Sequence, residues 1–264
     1  MDAALGYDSE LRFENPPVQQ VVLSIFFRPL VALQTSHLIP IISQWSEHYP
    51  QLDELSTIGT WRPLEPEEAN EIVNLGRRTR TPLFILQSAD GQRSLQFQQD
   101  RLELVWRFEA EGSSNEYIGY IALRDEIEKR LSEFADSVRQ VANLEVVPER
   151  SDATYQNLVD MPVRDFSVGV LTSWELSKAS PDHQSLYSGI RLGAFLQEGD
   201  DNSDTLVAIE PGPDGEGTDF TIEAQQIIRD GGSYMTALDE AHQIVLRIFT
   251  QLVSEDLLES WGRQ

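Results

Sequence analysis

The chain of 264 residues carries 44 acidic against 20 basic side chains, a formal net charge of −24, and contains no cysteine. That balance repels phosphate backbones and anionic lipid, so bare nucleic acid and membranes are excluded as general partners; the missing thiols exclude disulfides, thiolate nucleophiles and sulfur-ligated zinc. No stretch approaches the roughly 18 apolar residues of a membrane span and the opening residues lack a basic or apolar signal region, so a cytoplasmic protein is expected.

After Pro16 and Pro17, which favour an extended lead-in, Val18–Phe27 is dense in β-branched and aromatic residues and reads as a buried strand. From Ser36 to Tyr49, the residues Leu38, Ile41, Ile42, Trp45 and Tyr49 recur at helical spacing, with Ser36 as candidate N-cap and Pro50 as the stop. Residues 51–80 read as a loop with room for a short helix. A meander follows over Leu83–Leu86, Ser94–Phe97 and Leu102–Phe108, its first turn marked by Asp90-Gly91. The spacing of Ile127, Leu131, Phe134, Val138 and Val141 predicts a helix over Tyr117–Val141.

The second half predicts extended segments around Leu144–Tyr155, Phe166–Leu176, Tyr187–Gln197, Thr205–Ile209 and Phe220–Ile228. A last helix is predicted from Thr236 to Trp261, with Thr236 and Asp239 spaced as a capping box. The expected fold is therefore α+β: two halves, residues 1–148 and 149–264, each an antiparallel sheet with long amphipathic helices on one face. The order of elements repeats without visible identity, which raises the suspicion of a duplication.

Several short stretches match a known pattern: Phe13–Val18 with Pro16 and Pro17, Trp45–Pro50, Leu102–Arg107 with Trp106, Tyr155-Gln-Asn157, and Leu238–His242 running on to Trp261-Gly262. In these the chain resembles an uncharacterised, sporadically distributed bacterial family associated with mobile elements. The resemblance implies a fold and an accessory role in a mobile or defence locus, and it brings no established chemistry.

Motifs that carry chemistry are scarce. Asp239-Glu-Ala-His242 spells a helicase box, but it opens a helix and no G-x-x-x-x-G-K-[ST] loop accompanies it; His242, on an apolar stripe, reads as a core histidine. Asp200, Asn202 and Asp204 have the spacing that opens a calcium loop, yet Thr205 stands where glycine is needed and Pro211 where the bidentate glutamate belongs. The run, with Asp201, Asp214 and Glu216, reads as solvated hairpin tips. No H-E-x-x-H, nucleophile elbow or dinucleotide fingerprint is present.

Against the acidic field stands one basic run, Arg77-Arg78-Thr79-Arg80, whose guanidinium forks suit carboxylate or phosphate. The expected function is a non-enzymatic, acidic interaction protein that binds another protein encoded nearby in a defence, toxin–antitoxin or mobile-element locus. Its candidate contacts are Arg77, Arg78, Arg80, Trp61, Asp200, Asp201, Asp204, Asp214 and Glu216. No cofactor or metal is expected, nucleic acid only through the Arg77–Arg80 patch, and self-association is left open. Two alternatives stand beside this: a small-molecule sensor with a pocket under the last helix, and a metal-dependent hydrolase using Asp200, Asp204, Asp214 and Glu216.

Overall fold

A computed structural model describes residues 13–68, 81–108, 117–167, 180–182, 190–194, 203–212, 215, 217–229 and 231–263. In chain order these form β1 (Val18–Phe27), α1 (Thr35–Trp45), β2 (Gln51–Leu55), β3 (Leu83–Gln87), β4 (Arg93–Gln98), β5 (Arg101–Arg107) and α2 (Tyr120–Ala142). The second half supplies β6 (Pro148–Val159), β7 (Ser180–Asp182), β8 (Ile190–Ala194), β9 (Ser203–Pro211), β10 (Thr218–Ile227), α3 (Tyr234–Leu252) and α4 (Glu255–Ser260). The fold is α+β. All ten strands join one antiparallel sheet in the order β2-β3-β4-β5-β1-β6-β10-β9-β8-β7.

That order contains the same half twice. Counting outward from the middle, β1 is followed by β5, β4, β3 and β2, and β6 by β10, β9, β8 and β7, so strands of equal rank occupy equal places. The halves share a single sheet through the β1–β6 pairing, where the sequence suggests a sheet for each.

Alternation along β1 sets the two faces. Val21, Leu23, Ile25 and Phe27 are fully buried on the side that receives α2 and α3. Their cross-strand partners continue that layer: Trp106, Val21, Tyr155, Ile222 and Val207 form one row from β5 to β9. Helix α2 seats Ile127, Leu131, Phe134 and Val138 of its predicted stripe there, while Val141 is exposed; the Phe134 ring lies tilted 5.7 Å from Phe27 and edge-on 6.0 Å from Phe97. Helix α3 lays Phe249 6.1 Å from Phe220. Helix α1 is tied to α2 by polar groups: Trp45 Nε1 donates to Glu133 at 2.6 Å and the Tyr49 hydroxyl donates to Glu126 at 2.5 Å.

Several expectations shift. Helix α1 begins at Gln34, whose backbone N–H donates to His37 Nδ1 at 3.2 Å, so Ser36 is not its cap. Residues 51–55, expected as loop, form edge strand β2; all five side chains are exposed, so burial left no apolar pattern to read. Phe166, expected on a strand, lies in a helical turn over 163–167 and packs 5.1 Å from Phe220; the rest of that segment is outside the described residues.

The last predicted helix is two. Ser233 caps α3 by accepting from Met235 N–H at 3.2 Å, Val253 turns extended, and Ser254 caps α4. Gly262 follows at φ 72°, and a Cβ there would stand 2.7 Å from the Cβ of Glu14. Only glycine allows this approach, through which the backbone N–H groups of Glu14 and Asn15 donate to the carbonyls of Gly262 and Trp261.

Phe134, fully buried between two rings, offers a direct check on this packing. Truncating Phe134→Ala leaves a cavity that costs about 3–5 kcal/mol. The urea unfolding midpoint, read with an unchanged slope, is expected to fall accordingly.

Candidate functional site

The face of the sheet opposite the helices carries the polar half of each strand. Strand register places Glu103, Ser24, Asp152 and Gln225 in one row across β5, β1, β6 and β10. The next row is Val105, Val22, Thr154 and Glu223, and the row on the other side is Arg101, Phe26, Arg150 and Ile227. Three carboxyl groups thus stand near the middle of the face opposite α2 and α3, flanked by two guanidinium groups.

Asp152 is the most constrained of them. One oxygen accepts from Arg150 at 2.7 Å, the other has no hydrogen-bond partner, and the side chain is only 6% exposed. Burial raises its pKa to about 8, with Glu223 and Glu103 adding to the shift and Arg150 opposing it. The ion pair and the raised pKa pull in opposite directions. Burial prevails, because a desolvated carboxylate with one bare oxygen beside two other acids is costlier than its proton. Glu103 is pushed upward for the same first reason.

One end of this face is covered. Gln98 holds the covering loop by a reciprocal pair of bonds to the Ile58 backbone, at 3.1 and 3.2 Å. Trp61 is then fixed by its backbone N–H to Asp100 at 2.8 Å and its indole N–H to the Phe27 carbonyl at 3.1 Å. Its ring lies 6.0 Å from Phe26, and the Arg150 guanidinium rests over both rings at 4.2 and 5.1 Å. Trp61, expected as an interface anchor, is half-buried here as a cap over the Arg150 stack. Beside it Arg62 bridges Glu68 at 2.9 Å and Glu149 at 2.8 Å. A cleft of about 920 Å³ opens between this loop and the ends of β6 and β10, reaching Gly231 and Gly232 ahead of α3.

Beyond the cluster the face turns acidic. Strands β9 and β10 contain no Lys or Arg, and register puts Asp204, Leu206 and Glu210 of β9 beside Asp219 and Glu223 of β10 on the side opposite α2 and α3. Asp204, expected at a hairpin tip, sits within β9 opposite Gln225. Arg77, Arg78, Arg80, Asp200, Asp201, Asp214 and Glu216 lie outside the described residues. Among the described residues no three His, Asp or Glu side chains are grouped to hold a metal ion.

On the helix side, the residues that carry the family resemblance come together. Tyr155 donates or accepts with His242 Nδ1 at 3.0 Å and with the Tyr117 hydroxyl at 3.2 Å, and Tyr117 packs 5.0 Å from Trp106. Tyr120 stacks on His242 at 3.7 Å and donates to Asp239 at 2.7 Å. Asp239 also takes two bonds from Arg124, at 2.7 and 3.1 Å, so it joins α3 to α2 and makes no capping box with Thr236. Asn157 donates to the Phe220 carbonyl at 3.0 Å, and the Pro17 carbonyl, with Pro16 exposed before it, accepts from Leu158 at 2.9 Å. These residues hold strands and helices in place. His242 is a core histidine, and burial lowers its pKa to about 4.

Glu103, Asp152, Glu223 and Arg150 were not singled out by motif. The signal was the alternation itself: Arg101, Glu103 and Arg107 interleave with Leu102, Leu104 and Trp106, and Asp219 and Glu223 with Phe220 and Ile222.

Comparison with protein-family models finds no match, and none is found among curated proteins. Among solved structures, the chain is similar to a rolling circle replication initiator protein from Geobacillus stearothermophilus, with 9% identity and a TM-score of 0.32 over 95% of this chain and 92% of that one. It is also similar to the di-domain ARO/CYC BexL from the BE-7585A biosynthetic pathway, with 12% identity and a TM-score of 0.24 over 89% and 95% of the respective chains. Likeness at this level carries no functional argument.

The buried imidazole gives a pH signature. Unfolded, His242 takes a proton near 6.5; folded, it resists until about 4. The unfolded state therefore binds more protons in that window, and stability falls as pH drops through it, by about 3 kcal/mol at full effect. Urea midpoints measured at about pH 7 and about pH 4.5 should fall further apart for the wild type than for His242→Gln.

Proposed function

We propose that this chain works by binding and not by bond-breaking, and that its ligand is another protein with a basic surface, docked on the face of the sheet opposite α2 and α3. The observation that supports this reading is the charge on β9 and β10: Asp204, Glu210, Asp219 and Glu223 share that face with no Lys or Arg on either strand. A sheet fixes such side chains at spacings of about 5–7 Å, which suits a folded cationic surface better than a flexible counterion. The overall charge of −24 adds long-range attraction for the same partner. The family resemblance adds that the partner is encoded beside this chain, in a mobile or defence locus.

Co-expression with neighbouring genes and purification at low salt tests this. A partner should be retained at low salt, released as ionic strength rises, and weakened about ten-fold or more by Asp204→Lys combined with Glu223→Lys. A monomer that retains nothing at low salt, or a partner indifferent to both substitutions, would count against the reading.

A further inference from the structure

The sheet ends at β2 on an open edge. Among the described residues β2 pairs only with β3, in a register running from Gln51 opposite Gln87 to Leu55 opposite Leu83, and all five of its side chains are exposed. A strand paired on one side leaves about half of its backbone N–H and C=O groups pointing outward, where another strand can meet them. The apolar layer also stops there unfinished. Leu23, Leu104, Leu95 and Leu86 form one row across β1, β5, β4 and β3, each at most 1% exposed, and Leu52 continues that row at 49%. On the opposite face Leu55 stands beside buried Leu83 and is 50% exposed.

We infer that the β2 edge takes up an extended segment of a basic protein as a further strand, with the local order apolar-basic-basic-apolar. Residues of that segment opposite Leu52 and Leu55 cover the two half-exposed leucines, and those opposite Asp53 and Glu54 meet carboxylates. Alternation sends one apolar and one basic residue to each face, because Leu52 and Glu54 lie on the side of α2 and α3 while Asp53 and Leu55 lie on the other. The order reads the same in both directions, so it suits parallel and antiparallel addition alike. Backbone bonds supply the attraction common to any added strand, and these four contacts select the sequence.

Charge decides between occupants. A second copy paired antiparallel over the whole of β2 would set Asp53 against its own counterpart and bring together two chains of charge −24. Like charges directly opposite destabilise a strand pair, whereas lysine or arginine in that place is attracted. Asp53 and Glu54 thus block self-pairing and leave the edge open to a basic strand. Asp204 and Glu223 lie on β9 and β10, across the β1–β6 seam from this edge, so the two contacts stand independently.

Calorimetric titration at low salt with a peptide of about ten residues, Val-Arg-Lys-Val flanked by Ser and Thr, tests this, with amide hydrogen exchange to locate the peptide. Binding should protect backbone N–H groups within Gln51–Leu55. Of two peptides N-methylated at alternate positions, the one blocked on the edge facing β2 should lose binding and the other keep it. Asp53→Asn with Glu54→Gln should weaken binding about ten-fold, whereas Glu65→Gln with Glu67→Gln, which removes the same charge from two other exposed sites, should change it little. Urea midpoints verify that both double variants fold. No binding by the wild type, equal behaviour of the two N-methylated peptides, or equal loss in the two double variants overturns the edge site. Dimerisation through β2 without peptide overturns the choice of occupant. Peptide binding lost in Asp204→Lys/Glu223→Lys but unchanged in Asp53→Asn/Glu54→Gln overturns the edge and leaves the docking face intact. Protection within Gln51–Leu55 in a protein whose opposite face retains no native partner upholds the edge and removes the other reading.

Discussion

The pairing of β1 with β6 is the contact on which the rest of the molecule depends. The two strands run antiparallel over nearly their full lengths and place the outermost elements of each half at opposite ends of one sheet. Backbone groups in the middle of a sheet have no water to turn to, so the pair satisfies donors and acceptors that neither half can satisfy alone. It also fixes register. A slip by one residue would send Val21, Leu23 and Ile25 to the opposite side and bring Ser24 and its polar neighbours under α2 and α3.

Because register divides the side chains, the two faces do different work. Many polar groups on the helix side are tied into structure: Asp239 binds Tyr120 and Arg124, His242 binds Tyr155, and Arg130 joins Glu126 and Glu133 beneath the Tyr49 ring, although Trp106 Nε1 and Arg130 Nε stay without a hydrogen-bond partner. The bond from Arg124 to Asp239 is an ionic link between α2 and α3, so the helices of the two halves are clamped above the β1–β6 seam. On the other side Asp152 Oδ1 is likewise buried without a partner. A buried acceptor in that state costs about 1–3 kcal/mol.

What the sequence made legible follows from burial. β1 and the β3–β5 meander bury one or both faces and carry apolar runs or alternation that fall within a residue or two of the observed limits. Helices α2 and α3 were readable for the same reason, through stripes that reach the core. Strand β2 buries nothing and was invisible, because its place depends on a backbone edge and not on its side chains. The break at Val253 escaped notice since Leu252, Leu257 and Leu258 continue an apolar pattern that a helix would also produce. At the candidate site, motif reading looked for residues close in sequence, whereas Glu103, Asp152 and Glu223 come from three strands and meet only through register.

Convergence through register also explains why the acidic surplus need not be a diffuse property of the surface. A charge spread over flexible loops attracts any cation and is screened by salt within about 10 Å. Carboxyl groups fixed on adjacent strands, one of them desolvated enough to hold its proton at neutral pH, respond differently. Burial and the neighbouring acids set their charge state, so it follows local contacts more than bulk ionic strength.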